Sequence, residues 1–387
     1  MEKSATPFLI IGAGLSGAVI ARELVERYDT AHACVIERKN HVAGNCHTAR
    51  DPATGVMVHS YGPHIFNTNN EKVWNYVSRF GVFRPFVNRV KAVTPKGVFS
   101  LPINLLTINQ FFGKAFTPAE ARAFVATLGD ATIGEPRNFE EQALKMLGRD
   151  LYENFFLDYS LKQWGCHPRD LPASVLKRLP IRFNYDDNYY DKKYQGIPEQ
   201  GYTAVVQGIL DHPRIEVRLQ TEFHEVDRRA YAHLFYTGPL DAYFDYRWGR
   251  LGYRTVNFER IEADGDYQGN AVINYTSPEV PWTRIHEHKH FAPWESLERT
   301  VAFREFSSET GPADDPYYPK RLAADKELLM KYRALAAAEK GVTFLGRLAT
   351  YRYMDMETVI GEALEYAAQW LASSNLENLP VFPNEES

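Results

Sequence analysis

The 387-residue chain carries 44 basic and 49 acidic residues, a formal net charge of −5, and is 44% hydrophobic, enough for two or three domains with a sizeable core. That balance excludes a basic footprint for nucleic acid or a membrane surface, and no apolar run near the start approaches the ~20 residues of a membrane span. Three cysteines, Cys34, Cys46 and Cys166, have no metal spacing and argue against a disulfide framework, and no signal-type segment opens the chain, so a cytoplasmic protein is expected.

In chain order, Phe8-Leu9-Ile10-Ile11 suits a buried parallel strand, and Gly12 to Gly17 follows as G-x-G-x-x-G. A helix-period pattern at Ala21, Leu24, Val25 and Tyr28 comes next, then a second apolar run, Ala33-Cys34-Val35-Ile36, closed by Glu37. The glycines permit a tight turn and bring a pyrophosphate close to a helix N-terminus, where free N–H groups favour negative charge. Glu37, twenty residues beyond Gly17, is placed to accept hydrogen bonds from an adenosine ribose. Strand, glycines, helix, strand and acid in this order point to a dinucleotide site.

Further along, Val90 to Thr94 and Val98 to Leu101 read as strands, and from about Leu101 to Trp164 the pattern turns helical. Thr117-Pro118-Ala119-Glu120 and Asn138-Phe139-Glu140-Glu141 carry the capping logic of helix starts. Strands resume at Arg254 to Phe258, Ala271 to Tyr275 and Thr300 to Phe303, which predicts an antiparallel sheet. Val342 to Gly346 and a helix through Met356, Val359, Ile360, Ala363, Leu364 and Ala367 return the chain to its first domain. The run His286-Glu287-His288-Lys289-His290 places three histidines on one face of a strand, but Lys289 between them and the lack of a separate ligand cluster favour a sheet segment, and no metal is expected.

FAD fits better than a nicotinamide cofactor, because no acid/base or metal signature of a dehydrogenase stands out. The stretch Glu37 to Asn45 resembles the start of the bacterial, FAD-dependent UDP-galactopyranose mutase family, with Ala43 where a glycine is usual. The resemblance runs on through Tyr61-Gly62-Pro63-His64-Ile65-Phe66, Trp164-Gly165, Arg182 to Tyr189, Gln195-Gly196-Ile197-Pro198, Tyr236-Thr237-Gly238-Pro239, Lys289-His290-Phe291, Tyr317-Tyr318-Pro319 and Gly346 to Met356, in that family's order. Together with the element pattern it implies an α/β fold: a Rossmann-like FAD-binding domain (1–88, 199–242, 317–387), an antiparallel β-sheet domain (89–102, 179–198, 243–316) and an inserted helical substrate and lid domain (103–178).

The resemblance implies interconversion of UDP-galactopyranose and UDP-galactofuranose by reduced FAD: N5 attacks the anomeric carbon, UDP departs, and the ring opens and recloses through another hydroxyl. Charge developing on the diphosphate calls for arginine, whose planar fork stays cationic. By the family pattern these are Arg178 and Arg284, with Arg182 a rival for the first. Tyr189, Tyr318 and Tyr353 are carried over as diphosphate and sugar contacts, Asn88 as a residue facing the sugar, and Trp164 as part of a mobile lid. Tyr152, Phe155, Phe156 and Tyr159 share one helix face, either a core stripe or, as in the family, a uridine site with Tyr159 stacked on the base.

On the flavin side stand Gly12, Gly14, Ser16, Gly17, Glu37, Arg38, Asn45, His64, Arg347, Asp355 and Met356, with His64 also placed among the catalytic residues. The partners implied are the UDP-sugar, a reductant the sequence does not identify, and a second copy of the chain in a homodimer. A flavin amine oxidase and a non-catalytic UDP-sugar-binding flavoprotein are the competing readings.

Overall fold

Leu9 and Ile10 are fully buried because Thr6–Ile11 is the middle strand of a five-stranded parallel sheet, covered on both faces. The computed structural model describes residues 6–178, 181–320, 322–372 and 380–383. The sheet runs Ile215–Leu219, Ala31–Glu37, Thr6–Ile11, His233–Tyr236, Val342–Phe344. Helix Leu15–Arg27 packs on one face with Met356–Ala372 and Gly201–Leu210, which explains why its apolar residues are buried nearly all round. Strands from three separated chain segments therefore build this one sheet.

A seven-stranded sheet lies beside it, in the order Tyr318–Pro319, Tyr253–Asp264, Arg299–Glu309, Arg284–Glu287, Val272–Tyr275, Val90–Thr94, Gly97–Leu101. It departs from the expected antiparallel sheet at one pair: Val272–Tyr275 runs parallel to Val90–Thr94, because these strands come from distant segments and need no hairpin. Segment 179–198 also differs. Its strand Tyr194–Pro198 pairs with Phe66–Thr68 and Phe83–Pro85 in a small three-stranded sheet rather than with the large one. The histidine run is a strand only to Glu287, after which His288–Phe291 turns as a 3-10 helix, so the three rings do not share a strand face.

Between the sheets sits the helical insertion. Thr117 closes a full capping box with Glu120, and the Asn138 side chain accepts the Glu141 N–H, as the sequence signals required. Helix Phe139–Tyr152 is broken at Gly148 (φ 75°), where a Cβ would collide with Leu128. A π-helical turn, Glu153–Leu157, then leads into helix Asp158–Trp164. A π turn holds an extra residue, so it rotates everything after it relative to a 3.6-residue period. That rotation splits the aromatic stripe: Tyr152 and Phe155 are 1% and 4% exposed inside the insertion, while Tyr159 faces elsewhere.

Five histidines are buried in or between the sheets. Burial holds His59 and His286 well below their ordinary range, His288 at about 3, and His64 and His233 at about 4. The unfolded chain therefore takes up protons first as pH falls below ~6.5, and each ring weakens folding by up to about 1.4 kcal/mol per pH unit. Asp158, Asp241 and Glu305, raised by burial, act in the opposite direction, but three carboxyls do not outweigh five rings. The thermal midpoint is expected to hold between pH 7 and 8 and to fall stepwise at pH 6 and 5; calorimetry showing no such fall would contradict burial of neutral rings.

Candidate active site

A cavity of about 1480 Å³ lies between the two sheets and the helical insertion. Single-ligand pockets usually measure ~300–1,000 Å³, so this volume suits two ligands side by side. One half is built by the glycine turn. Gly12 adopts φ 100° and lies so close to Thr237 that a Cβ would strike its hydroxyl. Gly14 faces open cavity, with only the Gly44 Cα at 4.0 Å from where a Cβ would stand. Gly17 does not line the cavity: a Cβ there would run into the Gly12 carbonyl, so its role is packing helix against turn.

Helix Leu15–Arg27 begins at Gly14 without a side-chain cap, leaving its first N–H groups available for an anion, and Ser16 stands beside them on the cavity wall. Glu37 accepts the backbone N–H groups of Ala13 and Lys39, both at 3.0 Å, which fixes its carboxylate under the turn. Ala43 holds φ 76°, the left-handed conformation a glycine adopts without cost, and its N–H bonds the Ala13 carbonyl at 2.9 Å. Asn45 and Arg38 also line this half, and Arg38 and Lys39 both pair with Asp315 from the facing loop. Turn, uncapped helix and buried acid together fit a dinucleotide.

Deeper in, His64 donates from Nδ1 to the Gly62 carbonyl at 2.9 Å, so Nε2 carries no proton in the neutral ring. Burial, then the nearby Arg347 charge, keep that ring neutral near pH 7. Arg347, Asp355 and Met356 line the same region. Asp355 caps helix Met356–Ala372, accepting from the Thr358 N–H at 2.9 Å and its hydroxyl at 2.7 Å.

The other half is walled by Tyr159, Gln163 and Trp164 from helix Asp158–Trp164, by Tyr189 and Tyr190, by Tyr318 and Tyr353, and by Arg284. Arg284 Nε lies 3.0 Å from Glu305 Oε1 across two antiparallel strands on which the residues are in register, and its Nη2 donates to Gln163 Oε1 at 3.2 Å. Burial opposes the charge, but Glu305 and the surrounding phenols hold the guanidinium protonated. Burial likewise raises the phenols of Tyr159 and Tyr189, and of Tyr318 to about 12, so all three remain O–H donors. Tyr318 and Tyr353 stack with ring centroids 5.9 Å apart.

Several expected contacts are placed differently. Phe155 packs against Phe99 and Phe111 in the core of the insertion and does not line the cavity. Phe156 lies against Phe139, also off the lining. Asn88 is buried behind the wall, where its carbonyl accepts the Tyr189 N–H at 2.8 Å. Arg178 ends the 3-10 turn Ala173–Arg178, and its side chain lies outside the described residues. Arg182 does line the cavity, but its guanidinium is committed to the carbonyls of Asn188 and Tyr190 and to the Asp186 carboxylate.

Gln163 and Glu305 escaped the sequence reading, since neither pairing has a local signal; only strand register and helix placement bring them to Arg284. Elsewhere, ligand atoms of Asp266, Glu287 and His290 lie within 4.8 Å of one another. Glu287 already accepts the N–H groups of Tyr267, Gln268 and Gly269, and Asp266 pairs with Lys289 at 2.6 Å, an arrangement that latches the adjoining turn.

Comparison with known proteins agrees with this geometry. A family model described as UDP-galactopyranose mutase matches residues 154–353, and one described as an NAD(P)-binding Rossmann-like domain matches residues 10–80. A probable UDP-galactopyranose mutase of Klebsiella pneumoniae is 56% identical over 97% of each chain. A dTDP-fucopyranose mutase of Escherichia coli is 48% identical over 95% of this chain and 98% of that one. The crystal structure of a reduced UDP-galactopyranose mutase superposes with a TM-score of 0.75 at 15% identity, covering 96% of this chain and 97% of that one, which supports the fold. Matched along nearly its whole length at more than half identity, the chain belongs to the UDP-galactopyranose mutase family.

Proposed function

We propose that this protein interconverts UDP-galactopyranose and UDP-galactofuranose using FAD in its reduced state. The observation that carries the reading is the single cavity in which a dinucleotide cradle adjoins a chamber holding a half-buried, permanently charged arginine among protonated tyrosines. Reduced flavin supplies a nucleophile for the anomeric carbon. The chain's own residues bind the leaving diphosphate, hold the sugar and exclude water. Arg284 offers a guanidinium preset by Glu305 and Gln163, so little reorganisation is required as charge develops on the diphosphate. Tyr189, Tyr318 and Tyr353 donate to phosphate or sugar oxygens, and Tyr159 stacks on the base. A cytoplasmic homodimer is part of the proposal, supported by the family resemblance.

Arg178 is the second diphosphate arginine in this reading, since the rival Arg182 is already engaged in holding the loop that carries Tyr189 and Tyr190. A dTDP-linked 6-deoxy sugar is the second reading, favoured by the name of the E. coli relative. Anaerobic incubation of dithionite-reduced protein with UDP-galactofuranose should yield the pyranose; turnover of the dTDP sugar in its place would select the second reading. Oxygen consumption with amines would instead reveal an oxidase, and binding of UDP without isomerisation a sensor.

Gly14→Val is expected to abolish flavin retention, because a branched side chain would fill the space in front of the helix N-terminus. A yellow, stoichiometric holoprotein from that variant would contradict the cradle. Arg284→Ala should lower kcat by about 10²–10³, the cost of one preorganised charge-stabilising donor, with Arg284→Lys recovering only part. The alanine variant also strands the Glu305 carboxylate, so a loss of stability of about 3–5 kcal/mol should accompany it and shrink when Glu305→Gln is added. Arg178→Ala should slow turnover at normal flavin content, whereas Arg182→Ala should disturb UDP-sugar binding through the tyrosine loop. Normal kinetics for Arg178→Ala would transfer the diphosphate role to Arg182.

A further inference from the structure

Helix Asp158–Trp164 brings Tyr159, Gln163 and Trp164 to the cavity, yet it is short and follows a π turn, so its own hydrogen bonds do little to fix its position. Its one cation, Lys162, does not line the cavity. The Lys162 ammonium donates instead to four backbone carbonyls, those of Tyr275 at 2.7 Å, Ser277 and Val280 at 2.9 Å, and Trp282 at 3.1 Å. All four belong to the connection between strands Val272–Tyr275 and Arg284–Glu287. The loop is wrapped around the charge, and it ends two residues before Arg284.

Three ammonium protons serve four carbonyls through charge-assisted bonds, which are stronger than neutral ones. Without the ammonium, these carbonyls would lose a shared partner at a half-buried site. Three further bonds anchor the helix end: Arg254 Nε and Ser307 Oγ both donate to the Gln163 carbonyl, at 3.2 and 2.7 Å, and Arg254 Nη2 donates to the Lys162 carbonyl at 3.4 Å. Those bonds tie the last turn to the long strands Tyr253–Asp264 and Arg299–Glu309, whereas Lys162 ties it to the segment leading into the Arg284 strand.

We propose that Lys162 is a positioning residue: its ammonium, caged by the 275–282 loop, sets the Tyr159–Trp164 wall against the strand carrying Arg284, so that the nucleotide sugar meets a preformed chamber. The proposal rests on the nucleotide-sugar reading above. The Gln163 Oε1 contact to Arg284 marks the geometry that the cage maintains. Removing the cage releases the wall while leaving the dinucleotide cradle, which shares no residue with it, intact.

The test uses flavin-loaded protein and UDP as the probe, with affinity read from flavin fluorescence. Lys162→Met and Lys162→Ala should each weaken UDP binding by about ten- to hundredfold, the equivalent of a lost charge-assisted hydrogen-bond set, at unchanged flavin content. Propylammonium replaces the atoms missing in Lys162→Ala and should restore much of the affinity there, but not in Lys162→Met, where the thioether fills the channel. Wild-type affinity in both variants, a loss that propylammonium leaves untouched, or loss of flavin would overturn the proposal. UDP binding requires no turnover, so a wild-type protein that bound UDP without isomerising UDP-galactofuranose would defeat the functional reading alone.

Discussion

The Arg284–Glu305 pair is the constraint around which the chamber is arranged. Two charges are removed from water across a pair of antiparallel strands, and the second oxygen of Glu305 lies 3.4 Å from His286 Nε2. A buried pair of this kind contributes little net stability, because desolvation offsets most of the Coulomb gain. What the pair fixes is direction: a guanidinium held by a carboxylate on one side and by Gln163 on another keeps one orientation before any ligand arrives. A donor aimed in advance need not reorganise while charge develops, which is where electrostatic catalysis gains most of its advantage. The rings beside it stay neutral, so no second cation competes for the same carboxylate.

The position of the helical insertion follows from that constraint. Helix Asp158–Trp164 must deliver Gln163 to Arg284 and Tyr159 to the chamber, while the residues preceding it must fill a core with Phe99 and Phe111. A regular helix keeps one face directed one way. The Gly148 break and the Glu153–Leu157 π turn change that direction within a few residues, so the same sequence serves a core first and a site afterwards. The Lys162 ammonium on the same helix is bound by four carbonyls of the segment that leads to the Arg284 strand.

The two halves of the cavity obey different physics. The cradle is backbone chemistry: a glycine turn, an uncapped helix and an acid whose oxygens already accept two N–H groups, all supplied by one parallel sheet. The chamber is side-chain chemistry assembled from the insertion, the long sheet and the segment before the final helix. Local sequence can encode the first kind of site. It cannot encode the second, whose members are scattered along the chain from Tyr159 to Tyr353.

The sequence by itself therefore determined the buried parallel strand at Thr6–Ile11, the glycine turn with Glu37, the capped starts at Thr117 and Asn138, and the strand at Val342–Phe344, because each depends on residues adjacent along the chain. Recognition of ordered motifs added Arg284, Tyr318 and Arg347 as cavity residues, without saying what held them. Only the tertiary structure decided that Phe155 and Asn88 lie behind the wall, that Gly17 serves packing, that Arg182 is engaged by its own loop, that Gln163 and Glu305 meet Arg284, and that Lys162 is ringed by carbonyls. The reason is register. A π turn rotates a helix face, and strand pairing sets which distant side chains meet; neither leaves a periodic trace in the amino-acid order.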